Sequence, residues 1–499
     1  MNLETVIGLE IHLQIKTKSK MFCDCSNRRE EREPNSNVCP ICLGHPGSLP
    51  AANKQAVEFG AMMALALHCQ INKKSVWARK NYFYPDLPKG YQISQFAEPL
   101  AIDGHLTVLA GGEEIRIGIE RLHLEEDAAK NFHSADKTLV DYNRAGAPLM
   151  EIVTKPEFKF PAEAKAFLQE LRLIARYLKV SSADMEKGHL RCDANISLRK
   201  VGEDKLYPKT EIKNLNSFRS VERALEYEIK RQTELWNQGM PPSKQATRGW
   251  DEQALKTREQ RDKEESADYR YFSDPDLPPL FFTSDKIEEI QSKLPELPRD
   301  KRIRLEHEYG LKAVDARIIV EDQNVADYFE QVMTEARAWL ESLADPLGTA
   351  EEIWQLNRQK LTKLVSGWLL SELFKLMKED DKSILDIKIS PENFAEFIAL
   401  VYQRKVNSSS AQIILKKMYL TGGDPSQIMA EEDLGQAGDE AEMAKVVEKI
   451  INENFDQVME YKNGKLPLMK YFVGLGMKAM KGKADPEKLG EMFSKKLSG

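Results

Sequence analysis

Cys23-Asp24-Cys25 and, thirteen residues further on, Cys39-Pro40-Ile41-Cys42 place four thiols in two close pairs. Such a set suits a closed tetrahedral Zn²⁺ site, structural because no coordination position stays open. Redox-active thiols are the competing reading, and the second pair argues against it. A different chemistry is carried by residues 6–15. Leu9, Ile11, Leu13 and Ile15 share one parity there, and Glu10, His12 and Gln14 share the other. As a strand, this segment has one apolar face and one face of ligand-type side chains. Residues 189–198 repeat the pattern, with His189, Arg191, Asp193, Asn195 and Ser197 on the polar parity and Cys192 on the apolar one.

Lys209, Glu211 and Lys213 also share a parity, and residues 115–127 add Arg121, His123, Glu125, Glu126 and Asp127. In that last segment the apolar parity moves from Ile115, Ile117 and Ile119 to Leu122 and Leu124. A β-bulge would do this, re-aiming the side chains that follow. Carboxylates grouped with a histidine could hold Mg²⁺, a hard cation that keeps waters and binds substrate phosphates. The same faces could serve zinc hydrolysis, or could simply face water as antiparallel strands commonly do. Periodicity alone leaves these three open.

Aromatic side chains set among cations form the third kind of group. Residues 79–92 run Arg-Lys-Asn-Tyr-Phe-Tyr-Pro-Asp-Leu-Pro-Lys-Gly-Tyr-Gln, and residues 268–272 run Asp-Tyr-Arg-Tyr-Phe. Rings in such a setting can stack bases or clamp a nucleotide, and Arg270 could fork onto a phosphate or pair with Asp268. Core burial of Tyr82 or Tyr84 is the plainer alternative. Some machinery is missing: there is no phosphate-binding Gly-x-x-x-x-Gly-Lys-Ser/Thr loop, no Ser-Ser-Lys amidase set and no Gly-x-Ser-x-Gly elbow. Any use of ATP is therefore not of the P-loop kind, and glutamine hydrolysis is not expected of this chain.

The elements that must position these groups fall into regions of different texture. Up to Leu294, short β-type runs alternate with Gly, Pro and Asn turns and a few helices. One helix is expected to start at Pro161, with Leu168, Leu171, Ile174 and Leu178 on one face, and another near Ser217 or Ser220. Leu294-Pro295-Glu296-Leu297-Pro298 marks the change. Beyond Arg299 strand signals nearly vanish; 354–377 and 391–402 read as amphipathic helices, and 407–410 cap a final helical unit. The expectation is an α+β chain: a mixed β-rich cradle domain (1–294), a helical domain (295–405) and a helical tail domain (406–499).

With 499 residues, 30% charged and 41% apolar, the chain is long enough for several domains, and no stretch approaches the length of a membrane span. Cysteine usage and the absence of a secretory signal lead to the expectation of a cytoplasmic protein, or an organelle-matrix one. The net charge of −7 gives no global footprint for nucleic acid. The last segment does, since residues 461–499 hold nine Lys against three acids, enough for salt-dependent binding of an RNA backbone.

These motifs, in their order, resemble the kinase/transamidase (B) subunit of the aspartyl/glutamyl-tRNA amidotransferases. The resemblance is carried by Glu4–His12, Arg79–Asp86, Tyr91–Gln95, Arg121–Ala128, Leu190–Asn195, Lys213–Ser217 and Tyr461–Lys465. It implies ATP-dependent phosphorylation of the side-chain carboxylate of Glu or Asp misacylated on tRNA, then displacement of phosphate by ammonia. The ammonia comes from a separate amidase (glutaminase) subunit, a small third subunit completes a heterotrimer, and the products are Gln-tRNA(Gln) and Asn-tRNA(Asn). The resemblance also implies Mg²⁺ and catalytic roles for Glu10, His12, Glu125 and Asp193. It gives substrate, nucleotide or tRNA-end contacts to Arg79, Lys80, Tyr82, Lys89, Glu126, Arg191, Glu211, Lys213 and Arg270. Cys23, Cys25, Cys39 and Cys42 would hold structural Zn²⁺. Ser273 stands where the family often has Pro, and the four cysteines are not universal in it. A non-catalytic zinc-containing RNA-binding protein and a free-standing metal hydrolase are the competing classes.

Overall fold

The computed structural model describes residues 2–27, 33–134, 136–260, 269–342, 349–435, 440–480, 484 and 486–498. The chain is α+β and divides into two compact units, Met1–Pro298 and Arg299–Gly499. Strands lie in the first unit, and the second is built of helices among its described residues.

The first unit is organised around one large sheet. Its strands are β1 (Leu3–Gln14), β2 (Gln70–Ile71), β3 (Ala101–Ala110), β4 (Glu113–Glu126), β5 (Pro148–Thr154), β6 (Leu190–Lys200), β7 (Thr210–Leu215), β8 (Ala246–Asp251) and β9 (Lys256–Glu259). Across the sheet the order is β9-β8-β7-β6-β1-β5-β4-β3-β2. β1 thus occupies the middle and pairs antiparallel with β5 on one side and β6 on the other. β7 and β8 are parallel, and a helix lies between them in the chain, as a parallel pair requires.

Alternation decides which face is which. Ile7, Leu9, Ile11 and Leu13 of β1, with Leu190, Cys192, Ala194 and Ile196 of β6, are buried in one core. Leu122 and Leu124 of β4 and Met150 and Ile152 of β5 join them. This face is covered by α1 (Lys54–Ala66), α2 (Pro161–Tyr177) and α3 (Phe218–Asn237), which contribute Ala64, Phe167, Leu171, Ile174, Val221 and Leu225 to the same core. Pro161 occupies the first turn of α2, and the Ser217 side chain accepts from the Ser220 N–H to start α3. Both helices begin where the sequence places them.

The parity switch in β4 is a bulge. Val153 of β5 faces Arg121 and Thr154 faces Ile119, so Glu120 is the extra residue. It turns Glu125 onto the sheet face opposite the helices. In the second unit, Pro391–Tyr402 is a helix as expected, and Asn407 caps Ser408–Thr421. The last helices have their own core around Met443, Val447, Phe472, Leu489 and Phe493. Among the described residues no helix is long and apolar enough to cross a membrane.

Candidate functional site

Antiparallel register sets four side chains in a row on the open face of the sheet. Arg191 of β6 lies opposite His12 of β1, His12 opposite Glu151 of β5, and Glu151 opposite His123 of β4. Glu125, two residues beyond His123 and on the same face, completes the group. His12 Nε2 lies 3.5 Å from Glu125 Oε1 and 3.3 Å from Glu151 Oε2. His123 Nε2 stands 3.3 Å from Glu151 Oε2 and 3.7 Å from Glu125 Oε2. Two buried carboxylates thus share two imidazoles.

The electrostatics follow from that sharing. Burial alone would lower the His12 pKa, but the hydrogen bond to Glu151 and the charges of Glu125 and Glu151 outweigh it, and the pKa is raised. His123, also opposed by burial, is lifted to about 9 by the same carboxylates. Glu151 is pulled well below the usual carboxylate range by the two histidines, against the desolvation of its site. Unlike charges within about 4–6 Å favour each other's ionised form.

Ligand atoms of His12, Glu125 and Glu151 lie within 4.8 Å of one another. Two carboxylate oxygens and one imidazole nitrogen converging in a buried place are a donor set that a divalent cation such as Mg²⁺ would take, with His12 giving up its proton on binding. His123 faces the same two carboxylates, and its Nδ1 is buried without a hydrogen-bond partner among the described residues.

Of the four residues expected at a magnesium centre, the structure brings His12 and Glu125 together. Glu10 and Asp193 share the face but lie opposite each other one step along β1 and β6. Glu10 Oε1 accepts from Asn195 at 3.0 Å and stands 3.7 Å from Lys209 Nζ. Asp193 and Glu211 are both held by Lys213, each at 2.8 Å. Arg191 reaches Asp127 at 2.9 Å. Lys89 pairs with Glu126, whose Oε1 also takes the Ile93 N–H at 2.9 Å.

The aromatic segments close the row from the side. Lys80 Nζ lies 4.7 Å from the centre of the Tyr269 ring; burial would lower its pKa, but Glu125 and nearby groups raise it. Tyr82 packs edge-on against Tyr269 at 6.1 Å. Arg79 is a brace, bonded to Asp274 and to Asp276 at 2.8 Å each and lying over Tyr91. Arg270 is exposed, and its carbonyl accepts from Asn81 at 2.9 Å; Asp268, its expected alternative partner, lies outside the described residues. Phe83 is 91% exposed, so that ring is not core and stays available to a partner or base.

Sequence reasoning did not find Glu151 or assign His123. A signal existed for Glu151: from Pro148 to Val153 it is the one residue that is not apolar, on either parity, and every residue of the strand is buried. A lone charge in a doubly buried strand rarely lacks a partner.

Away from the row, the sulfur atoms of Cys23, Cys25, Cys39 and Cys42 lie within 4.8 Å of one another. The Cys39 N–H donates to Cys42 Sγ at 3.2 Å. The Cys42 thiol is pulled to about 4, first by a hydrogen bond from Cys23 and with help from Lys20, against the cost of burial. Cys25 is pushed up to about 11, burial being the main cause. Lys20 is only 1% exposed, bonded to the Asn37 carbonyl at 2.9 Å and 3.7 Å from Cys42 Sγ. A buried ammonium with so little anionic company suits the net negative charge of a tetrathiolate zinc centre. Cys42→Ser is expected to weaken zinc binding by more than about 100-fold, the upper end of what losing a mere supporting group costs; zinc content of the purified variant checks it, and full retention would sink the assignment.

Comparison with known proteins matches two family models, one described as the GatB/GatE catalytic domain over residues 5–288 and one as the GatB domain over 351–497. Relatives named as the B subunit of aspartyl/glutamyl-tRNA(Asn/Gln) amidotransferase are similar over the whole length. That of Persephonella marina is 44% identical over 497 residues, covering 100% of both chains. That of Thermodesulfovibrio yellowstonii is 43% identical over 498 residues, also covering 100% of both. That of Thermosipho melanesiensis is 44% identical over 505 residues, again covering 100% of both.

Proposed function

We propose, on the premise that this chain belongs to the B-subunit family of the aspartyl/glutamyl-tRNA amidotransferases, that it phosphorylates and then amidates the side-chain carboxylate of Glu or Asp esterified to tRNA. The observation that carries the reading is the buried row of His12, Glu125, Glu151 and His123, flanked by Arg191. Its two carboxylates are bordered by the cations Lys80 and Arg191, an arrangement suited to phosphoryl transfer between two anions.

A carboxylate is a poor acyl electrophile because its oxygen leaves badly. One substrate carboxylate oxygen attacks the γ-phosphorus of ATP, the bond to the β–γ bridging oxygen breaks, and ADP departs. Ammonia then attacks the acyl carbon, phosphate leaves with the bonding pair, and the surplus proton goes to water. Mg²⁺ held by His12, Glu125 and Glu151 would supply charge neutralisation on the transferring phosphoryl group. Arg191, fixed by Asp127, and Lys213, fixed by Asp193 and Glu211, attract and orient phosphate oxygens. Lys80 screens the approaching substrate carboxylate. Lys89 holds Glu126 in place beside Glu125.

Glutamine hydrolysis is left to a separate amidase subunit, and a small third subunit completes the assembly. Residues 1–294 form the catalytic cradle, 295–405 a helical domain and 406–499 the tail that touches tRNA. Lys462, Lys465, Lys470 and Lys478 of that tail are among the described residues; Lys481 and Lys483 lie outside them. The setting is the cytoplasm.

The test uses the chain co-purified with its partners and given Glu-tRNA or Asp-tRNA, ATP and Mg²⁺, with ammonium chloride in place of glutamine. Gln-tRNA or Asn-tRNA forming with ADP, and surviving inactivation of the amidase partner, is the expected outcome. Absence of both amide and tRNA-stimulated ADP from a folded complex would remove the enzymatic reading in favour of an RNA-binding one. In the same complex, tRNA affinity that did not fall with salt would remove the tail from the interface.

A further inference from the structure

The four-cysteine group and the row differ in chemistry, yet two glycines bring them into contact, and the activity proposed above uses neither contact. Cys39 and Cys42 flank a turn. The Leu43 N–H donates to the Cys39 carbonyl and the Gly44 N–H to the Ile41 carbonyl, both at 3.0 Å. One ion held by Cys39 and Cys42 fixes this turn, and with it the place of Gly44. Gly44 is left-handed, with φ +68°. A Cβ added to it would stand 2.5 Å from Lys89 Cγ, 3.1 Å from Lys89 Cα and 3.2 Å from Lys89 Cβ. The stem of Lys89 therefore rests on bare backbone, a close approach that glycine permits.

Lys89 is no surface cation. Its side chain is 10% exposed and pairs with Glu126, and its ammonium lies 5.6 Å from the centre of the Tyr91 ring. Glu126 in turn takes the Ile93 N–H at 2.9 Å and is the neighbour of Glu125 in β4. A second contact runs the same way. Gly146 is also left-handed, and a Cβ there would stand 3.5 Å from Cys42 Cβ and 3.9 Å from Glu126 Oε2. Its N–H donates to the Asp127 carbonyl at 2.9 Å. One bare residue thus separates a cysteine from the carboxylate next to the row.

We propose that the zinc-bearing turn is a positioning element of the active site. Gly44 sets the stem of Lys89, Lys89 sets Glu126, and Glu126 fixes the end of β4 that carries Glu125 into the row. Gly44 and Lys89 act through Glu126, so they are positioning residues. The geometry of the row then depends on an ion that takes no part in the reaction. The effect on turnover rests on the kinase reading above; the effect on Glu126 does not.

Gly44→Ala, Gly47→Ala and Lys89→Met, each in the intact complex, test this. Gly47 is the control: it follows Gly44 in the same loop and is left-handed at φ +82°, but an added Cβ there meets nothing within 4 Å. It carries the backbone strain without the contact. With zinc content unchanged, Gly44→Ala is expected to speed exchange of the Ile93 amide about tenfold, the effect of one lost hydrogen bond. It should also lower tRNA-dependent ADP formation by up to about 10²-fold, the cost of a misplacement of about 1 Å. Gly47→Ala should change neither, and the Gly44 substitution should cost nothing further in Lys89→Met. Stripping zinc with a chelator and restoring Mg²⁺ should speed Ile93 exchange while β6 stays protected, and added zinc should reverse it.

Equal effects of the two glycine substitutions, or additive effects of Gly44→Ala and Lys89→Met, would overturn the proposal and leave the kinase reading standing. So would unchanged Ile93 exchange in Gly44→Ala or on zinc removal, or protection lost from β6 together with Ile93. The expected changes at Ile93, in a complex whose unaltered form makes no tRNA-dependent ADP, would remove the kinase reading and keep the role of the turn.

Discussion

Glu151→Gln is expected to lower tRNA-dependent ADP formation and amide formation together, by about 10²–10³-fold, the range for removing one preorganised charge-stabilising group. The substitution keeps the shape of the side chain. It removes the charge that both imidazoles face, 3.3 Å from His12 and 3.3 Å from His123, and one of three converging ligand atoms. Because Glu151 is a buried member of the row and not part of an outer surface, tRNA affinity should survive while turnover is lost. Steady-state turnover on Glu-tRNA, read beside tRNA binding, checks this. Unchanged turnover would mean that the row is an internal ion-pair network and the chemistry lies elsewhere on the sheet.

The largest stability effect is expected far from that row. Glu228 of α3 has no solvent exposure. It accepts from Arg231 Nη2 at 2.7 Å, lies 3.2 Å from Arg248 Nε of β8 and accepts a hydrogen bond from the Thr257 hydroxyl of β9. One carboxylate therefore clips the edge of the sheet to the helix that covers it. Glu228→Ala leaves the half-buried Arg248 with only the Glu259 carboxylate, at 4.0 Å, among the described residues, and should destabilise the first unit by about 3 kcal/mol, the lower end for breaking a buried pair. Hydrogen exchange in residues 246–259 reads this directly, since that edge should open first. Protection equal to that of the unaltered chain would show that the apolar contacts of α3 alone hold the edge.

How much of this could be seen in the chain itself depends on whether a residue's neighbours in sequence are also its neighbours in space. β1 and β6 were legible because each has one wholly apolar parity, which assigns the other parity to the open face. The bulge in β4 was legible for the same reason, as a break in that parity. The four cysteines needed no fold at all. Glu151 was hidden because its strand is buried on both faces and has no alternation to read. Glu10 and Asp193 were read onto the correct face, but a strand pattern does not say which rung of the ladder a residue occupies. The pairing of His12 with Glu151 depends on the register of segments about 140 positions apart. The pairing of Arg79, expected as a substrate, nucleotide or tRNA-end contact, with Asp274 and Asp276 could not be seen because those partners are remote in sequence.

The central place of β1 also sets a timetable. Its two partners begin at Pro148 and Leu190, so the first strand made is among the last to be paired. At about 5–20 residues per second on the ribosome, β1 waits roughly 7–28 s with both edges bare and roughly 10–40 s before β6 is made. An alternating strand in that condition invites pairing with other chains. The long-range pairing that assembles the row also delays its folding. Until β5 has emerged, the nascent chain holds His12 without the Glu151 that completes the row, and it needs shelter for that interval.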